Sequence, residues 1–407
     1  METTEYYAYF VPLYAMVISL ESLVAQRRGK PKLSFAETFG NFQAGLGAIA
    51  NGMFVGTAVY FLYDWGVKHL ALLTWDEKSW WTWIVALLLA DLAHYWHHRA
   101  EHSVAAFWAV HGVHHQAETL NSTVSIRHAW YSDLYSFPFF SICAFAGIPT
   151  IPFFVATTIL SMHAFITHST EYNFPSFGIL VTPRTHTLHH ALNERYLGKN
   201  FAAMFCIWDK VFGTHVEYDP QYEPFYGTFR GHETHDGAMA QFVLWRRLFK
   251  IAASAKTLRD KVKVFVSHPG WLPPGVEDPP PQKPRASVEI PLSTKLYTSL
   301  HFMGLMVFSF YIFIWRAKHP WSLRVVGVFL IFATLLSLGG LLDARRWAKQ
   351  TEILRLCWAG LLGLCMFQYY PISGELGLYM MGIASAGCLW MLTGYHQNKP
   401  HSPLSPN

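Results

Sequence analysis

The chain has 407 residues, 52% of them hydrophobic, 16% aromatic and only 14% charged, with a formal net charge of +5. Soluble globular proteins carry about 25% charged residues, so the composition excludes an ordinary soluble domain and points to a membrane protein. The cations cluster in loops beside apolar runs, which suits a cytoplasmic membrane face and excludes nucleic acid as a partner.

A membrane-crossing helix needs about 20 mainly apolar residues. Runs at 6–26, 43–63 and 80–98 meet that length. The run 134–167 is too long for one span and is interrupted by Gly147, Pro149 and Pro152, so it predicts a tight hairpin that dips in and returns. Residues 239–266 mix apolar side chains with many cations and read either as one helix lying along the headgroups or as an ordinary packing helix. A Pro-rich connector covers 269–286 and leads to further runs at 297–315, 324–342, 353–371 and 375–393, which carry few ionisable groups to bury. The expectation is an all-α, multi-pass transmembrane helical bundle of about nine passes. It divides into N-terminal membrane helices (1–80), a catalytic region (81–235), an amphipathic helix with the connector (236–295) and C-terminal membrane helices (296–407). QRRGKPK after the first run, the polar stretch 168–295 and DARRWAK fall on one side, which the positive-inside rule makes cytoplasmic. The five cysteines show no zinc-ribbon spacing and read as reduced packing residues.

Twenty-two histidines are present, and seven lie between His94 and His115. His98 and His102 are spaced i, i+4, so on a helix they share a face. His111, His114 and His115 are spaced i, i+3, i+4, and His186, His189 and His190 repeat that pattern. A single zinc takes three or four ligands, so eight imidazoles suit two metal ions and a cytoplasmic His-rich di-metal site. Imidazole accepts iron, zinc, copper and nickel alike, and spacing does not choose among them. His168, in FITHSTE, is a ninth candidate ligand. His94 reads as packing or support, and His128 and His163 are weaker candidates. Asp91, seven residues before His98 in an apolar run, is a candidate carboxylate for the second N–H of a ligand histidine. Asn121 and Arg127, with Arg99, Asn200 and Asp209, are candidate catalytic or positioning groups, a role in the loop scaffold being equally open. SHPGW (267–271) resembles half of a haem-binding HPGG motif, but no second axial histidine on a folded module accompanies it.

The segments DLAHYWHHRAEH (91–102), HGVHH (111–115) and HTLHH (186–190), followed by GKNFAAMFCIWDKVFGT (198–214), resemble the fatty acid hydroxylase/sterol desaturase superfamily of membrane oxygenases. The resemblance implies two Fe ions held by the histidines, O2 as oxidant and a membrane lipid as substrate. It further implies hydroxylation beside the ether oxygen of an O-alkyl glycerol, giving a fatty aldehyde and a glycerol derivative, with tetrahydrobiopterin as reductant. The location implied is the endoplasmic reticulum in a eukaryotic cell or the inner membrane in a bacterium. A sterol or fatty-acyl desaturase or hydroxylase fed by a redox protein is the neighbouring alternative. A membrane metal transporter is the alternative of another class, though transporters place their ligands near the bilayer midplane rather than at helix ends.

Overall fold

Inside a bilayer every backbone N–H and C=O must be satisfied within the protein, and long apolar runs without strand-like alternation leave the helix as the available element. The computed structural model of the protein describes residues 3–30, 33–228, 234–279, 290–314, 319–369 and 374–395. Among them the chain forms fifteen α-helices, one 3-10 helix and no strand. The helices are α1 (Thr3–Arg27), α2 (Phe35–Gly52), α3 (Val55–Leu70), α4 (Trp80–Ser103), α5 (Ala105–His115), α6 (Ser132–Phe145), α7 (Thr150–Thr167), α8 (Pro183–His189), α9 (Ile207–Val211) and α10 (Gly237–Ser254). After these come α11 (Leu258–Val266), α12 (Leu292–Ile314), α13 (Trp321–Leu342), α14 (Ala348–Tyr369) and α15 (Gly374–Thr393).

Among the described residues, four helices are long and apolar enough to cross a membrane, namely Thr150–Thr167, Leu292–Phe313, Trp321–Leu342 and Gly374–Thr393. This is fewer than the nine passes expected from apolar runs. The run 43–63 is not one straight span. It is divided between α2 and α3, which bend by 48° at the break and count as a fifth span only together. Helix α4 runs beyond 98 to Ser103, and from its midpoint onward it carries Asp91, four histidines, Arg99 and Glu101. Helix α14 carries Glu352 and Arg355 in its first half. These polar side chains, absent from a simple count of apolar residues, remove both helices from the apolar class. The predicted hairpin is present as α6 and α7. Its turn residue Gly147 has φ +79°, and a Cβ there would stand 1.8 Å from Leu73 O, so only glycine fits. The Tyr63 hydroxyl donates to Ile148 O beside that turn at 3.0 Å.

The segment 239–266 is two helices rather than one. Helix α10 buries Leu244, Leu248 and Ile251 among Ala105 and Ala109 of α5, the packing reading of this stretch. Carboxylates on the first two helices tie down the loops that follow α5 and α7. Glu21 accepts from Ser122 N and the Ser169 hydroxyl, and Glu37 accepts from Glu118 N and Thr119 N. Part of the basic loop after α1 is paired rather than free, because Arg28 and Lys30 both reach Glu171.

The C-terminal helices hold more buried ionisable groups than their sequence suggests. Glu352 is fully buried and accepts from Tyr297, Ser337 and Arg355, while Arg355 Nη2 lies 3.3 Å from His301 Nδ1. Removing one partner of such a pair strands the other in a low-dielectric interior at a cost of about 3–5 kcal/mol. Arg355→Leu is therefore expected to lower the thermal midpoint of the detergent-purified protein sharply, whereas Arg355→Leu combined with Glu352→Gln recovers most of the loss. Equal losses in the single and double variants would contradict this account of the pair.

Candidate metal centre

Helix α4 ends at Ser103, the backbone is extended at Val104, and α5 begins at once, so the two helices form a tight corner. That corner brings His98 and His102 against His111 and His115. Helix α8 is short but well defined at its start, since Thr182 and Thr185 form a reciprocal capping box and Pro183 occupies the first turn. His168 is the residue that ends α7. The glycine of HGVHH has a packing reason, because a Cβ at Gly112 would lie 2.2 Å from Leu244 of α10.

The nine expected histidines gather into two sets. His98, His102, His111, His115 and His189 form the first, and His114, His168, His186 and His190 form the second. Within each set the ligand atoms lie within 4.8 Å of one another. The division does not follow the sequence motifs. Successive residues on a helix point about 100° apart, so the i, i+4 pair of each triplet stays together and the middle histidine turns away. The pair His111/His115 joins the first set while His114 joins the second. Conversely, His186/His190 joins the second set while His189 joins the first.

Ring nitrogens face each other across short gaps. His111 Nε2 lies 3.0 Å from both His98 Nε2 and His115 Nε2, and His115 Nε2 lies 3.3 Å from His189 Nε2. In the second set, His168 Nε2 lies 3.0 Å from His114 Nε2 and 3.1 Å from His186 Nε2, and His190 Nε2 lies 3.3 Å from His186 Nε2. Metal–imidazole bonds of about 2.0–2.1 Å place neighbouring ligand nitrogens about 2.9–3.4 Å apart at octahedral to tetrahedral angles, so the spacing fits.

The other ring nitrogens define the tautomers. His98 Nδ1 donates to Phe201 O at 2.8 Å, His189 Nδ1 to Lys199 O at 2.8 Å, His114 Nδ1 to Arg127 O at 3.2 Å and His168 Nδ1 to Ala164 O at 2.6 Å. A carbonyl can only accept, so each of these Nδ1 atoms carries the proton and each Nε2 presents a lone pair inward. Opposed lone pairs at this range repel unless a cation lies between them. His102 Nε2, buried without a hydrogen-bond partner, adds a further orphaned donor atom to the first set. Burial pushes the imidazoles of His111, His114, His115, His186, His189 and His190 well below their ordinary pKa, and His168 down to about 3. They are thus held in the neutral form that metals bind. The donor set fits two metal ions.

The candidate supporting residues sit elsewhere than expected. Asp91 touches no histidine, in contrast to the carboxylate–imidazole role expected for it. It accepts from Met204 N, Phe205 N and Trp208 Nε1, fixing the segment before α9 to the middle of α4. Asn121 caps the 3-10 helix Ser122–Ile126 through Thr123 N. Arg127 is fully buried and donates to Val113 O, Asn41 Oδ1 and Gln116 Oε1, so its side chain braces the last turn of α5 while its carbonyl orients His114. Arg99 donates to the Tyr95 hydroxyl, and Asp209 accepts from Phe201 N and Ala202 N. His94 packs against the ring of His98, His128 stacks on His114, and His163 bonds to Val181 O.

Two features escaped sequence reasoning. The first is Glu101, the carboxylate that does approach the ligand histidines. Its placement one residue before His102 in HHRAEH was the available signal. The second is the set of main-chain carbonyls, which no side-chain pattern announces.

Nine imidazoles in two convergent sets, seven of them buried and two half-buried, in a chain with helices apolar enough to cross a bilayer, define a membrane protein with a candidate paired metal centre. The fatty acid hydroxylase family model matches residues 83–214, the span that holds all nine. Alkylglycerol monooxygenase of Homo sapiens is 29% identical over 370 residues, covering 87% of this chain and 81% of that one. The Xenopus tropicalis alkylglycerol monooxygenase is 30% identical over 317 residues, covering 72% and 67%. That of Caenorhabditis elegans is 29% identical over 370 residues, covering 81% and 72%. No solved structure matches the chain. The chain belongs to the fatty acid hydroxylase family, as a multi-pass membrane protein and a lipid monooxygenase of that superfamily. Within the family its similarity is to the alkylglycerol monooxygenases.

Asn200 gives this site a direct test. It adopts φ +56°, and its amide donates to Thr185 O and Val216 O. That left-handed turn lets Lys199 O and Phe201 O, on either side of it, both reach first-set histidines. Asn200→Ala is expected to cost about 1–3 kcal/mol and to lower the metal retained after dialysis. Asn200→Gly, which keeps the turn, should be milder, and metal content measured by atomic absorption ranks the two.

Proposed function

We propose that the two histidine sets hold two iron ions and that the protein uses O2 to hydroxylate a C–H bond of a membrane lipid. Its substrate class is the O-alkyl glycerols, and its reductant is a reduced pterin of the tetrahydrobiopterin type. The observation that carries the reading is the approach of inward Nε2 atoms to 3.0–3.3 Å in two sets. Similarity to alkylglycerol monooxygenases supports the substrate class.

His98, His102, His111, His115 and His189 would hold one ion, and His114, His168, His186 and His190 the other. When bound, the pair supplies O2 activation by electron transfer. The chain's own residues bind, orient and keep water away. Phe201 places its ring 5.7 Å from His98, 5.4 Å from His102 and 5.6 Å from His189, and Trp108 covers His102 and His115 at 5.1 and 5.4 Å. Such an apolar cover protects a strong oxidant from side reactions. Hydroxylation beside an ether oxygen gives a hemiacetal. This then breaks its C–O bond, the hydroxyl proton passing to the leaving glycerol oxygen as the aldehyde forms. One oxygen atom enters the lipid, and the second leaves as water with two electrons from the pterin and two protons.

We place the catalytic region at 81–235 and the site on the cytoplasmic side. The basic residues Arg27, Arg28 and Lys30 at the end of α1 support this sidedness. The membrane is the endoplasmic reticulum in a eukaryotic cell or the inner membrane in a bacterium.

Purified protein should contain two iron atoms per chain and release fatty aldehyde from an alkylglycerol only with reduced pterin and O2. A chelator should abolish turnover, and added ferrous iron should restore it. His186→Ala and His189→Ala should each lose metal and activity while remaining membrane-inserted. Turnover of a fatty-acyl or sterol substrate with a redox protein, and none with pterin, would favour the desaturase or hydroxylase alternative. Full activity without metal would sink the proposal.

A further inference from the structure

Glu101 lies on α4 between the two ligand histidines of that helix and is only 4% exposed. Its Oε2 stands 3.2 Å from His111 Nδ1, and its Oε1 stands 3.3 Å from His97 Nε2. His111 is the hub of the first set, with Nε2 3.0 Å from those of both His98 and His115. Among the described residues, Glu101 is the only carboxylate within ion-pair distance of a histidine in either set. The other Nδ1 partners described above are neutral main-chain carbonyls, and both of those in the second set are of this kind.

We infer that Glu101 is a positioning residue that makes the two metal sites chemically unequal, by backing His111 with a carboxylate while the second set has only neutral support. The inference rests on the two-metal reading above and concerns which site holds its ion more strongly. A carboxylate behind the Nδ1–H of an imidazole raises the basicity of the opposite nitrogen and fixes the ring. The first set combines that carboxyl group with five nitrogens, whereas the second offers four nitrogens and no carboxyl beside them. The first site is therefore the tighter one, and the second is left with fewer protein ligands. His97, outside both sets, flanks the carboxylate on the other side at 3.3 Å, its Nε2 making no hydrogen bond.

Cobalt(II) titration of the full-length, detergent-purified chain tests this, since its visible bands report coordination number and a competing chelator resolves the two affinities. Wild-type protein should bind two cobalt ions in two resolved steps with different spectra. Glu101→Gln, nearly isosteric, should weaken only the tighter step, by about 10- to 100-fold, and leave the second step and the helical circular dichroism unchanged. Glu101→Asp, which keeps the carboxyl group on a shorter arm, should lie between the two at that same step. A merely structural role would instead lower both steps together. Equal weakening of both steps in either variant overturns the inference, as does an unaltered tighter step in Glu101→Gln. Wild-type protein that takes up no cobalt overturns the metal-centre reading itself, an outcome distinct from either.

Discussion

The structure depends on a repulsion that a cation would remove. Six Nε2–Nε2 separations of 3.0–3.3 Å bring ring nitrogens face to face, and between His114 and His168, whose Nδ1 atoms both donate to carbonyls, lone pair opposes lone pair. Four of the rings cannot relieve this by moving their protons inward, because their Nδ1 atoms already donate to fixed carbonyls. The surrounding helices hold the rings in this arrangement through the α4–α5 corner, the capping box of α8 and the packing of α10 on α5.

The anchoring extends well beyond the family-matched region. Glu21 and Glu37, from the two N-terminal helices, each accept two hydrogen bonds from the loops that follow α5 and α7. Asn41 of α2 meets both Arg127 and Thr123, and Gln43 of the same helix donates to Leu335 O of α13. Helix α2 therefore bridges the histidine sets and the C-terminal bundle. Glu21, Glu37, Asn41, Gln43 and Arg127 are each hydrogen-bonded in this network, as low-dielectric surroundings demand.

Much of the site was legible in the sequence. Three groups at i, i+3 and i+4 spacing sufficed to find eight of the histidines that converge, and His168 joins them directly after the hairpin. The partition between sets was not legible from shared-face reasoning, since the 100° step between neighbours separates His114 from His115 and His189 from His190. Asp91 was misjudged because a carboxylate in an apolar helix signals a buried polar partner without saying which. Its partners proved to be backbone N–H groups of 204–205 and one indole. The helical class was evident, but among the described residues fewer helices are long and apolar enough to cross a membrane than the apolar runs suggested. Composition counts leucines along α4 and α14 without registering that charged residues on their inner faces have partners. The ion cluster around Glu352 was missed for the same reason, its members being scattered over three helices.

The main-chain origin of the acceptors bears on how such a site tolerates change. The side chains of Lys199 and Phe201 can change without touching the carbonyl that faces each ring, provided Asn200 keeps the turn between them. Adding or deleting a single residue there would rotate Lys199 O and Phe201 O out of register and release both imidazoles at once. Loop length, more than loop chemistry, is what this architecture holds constant.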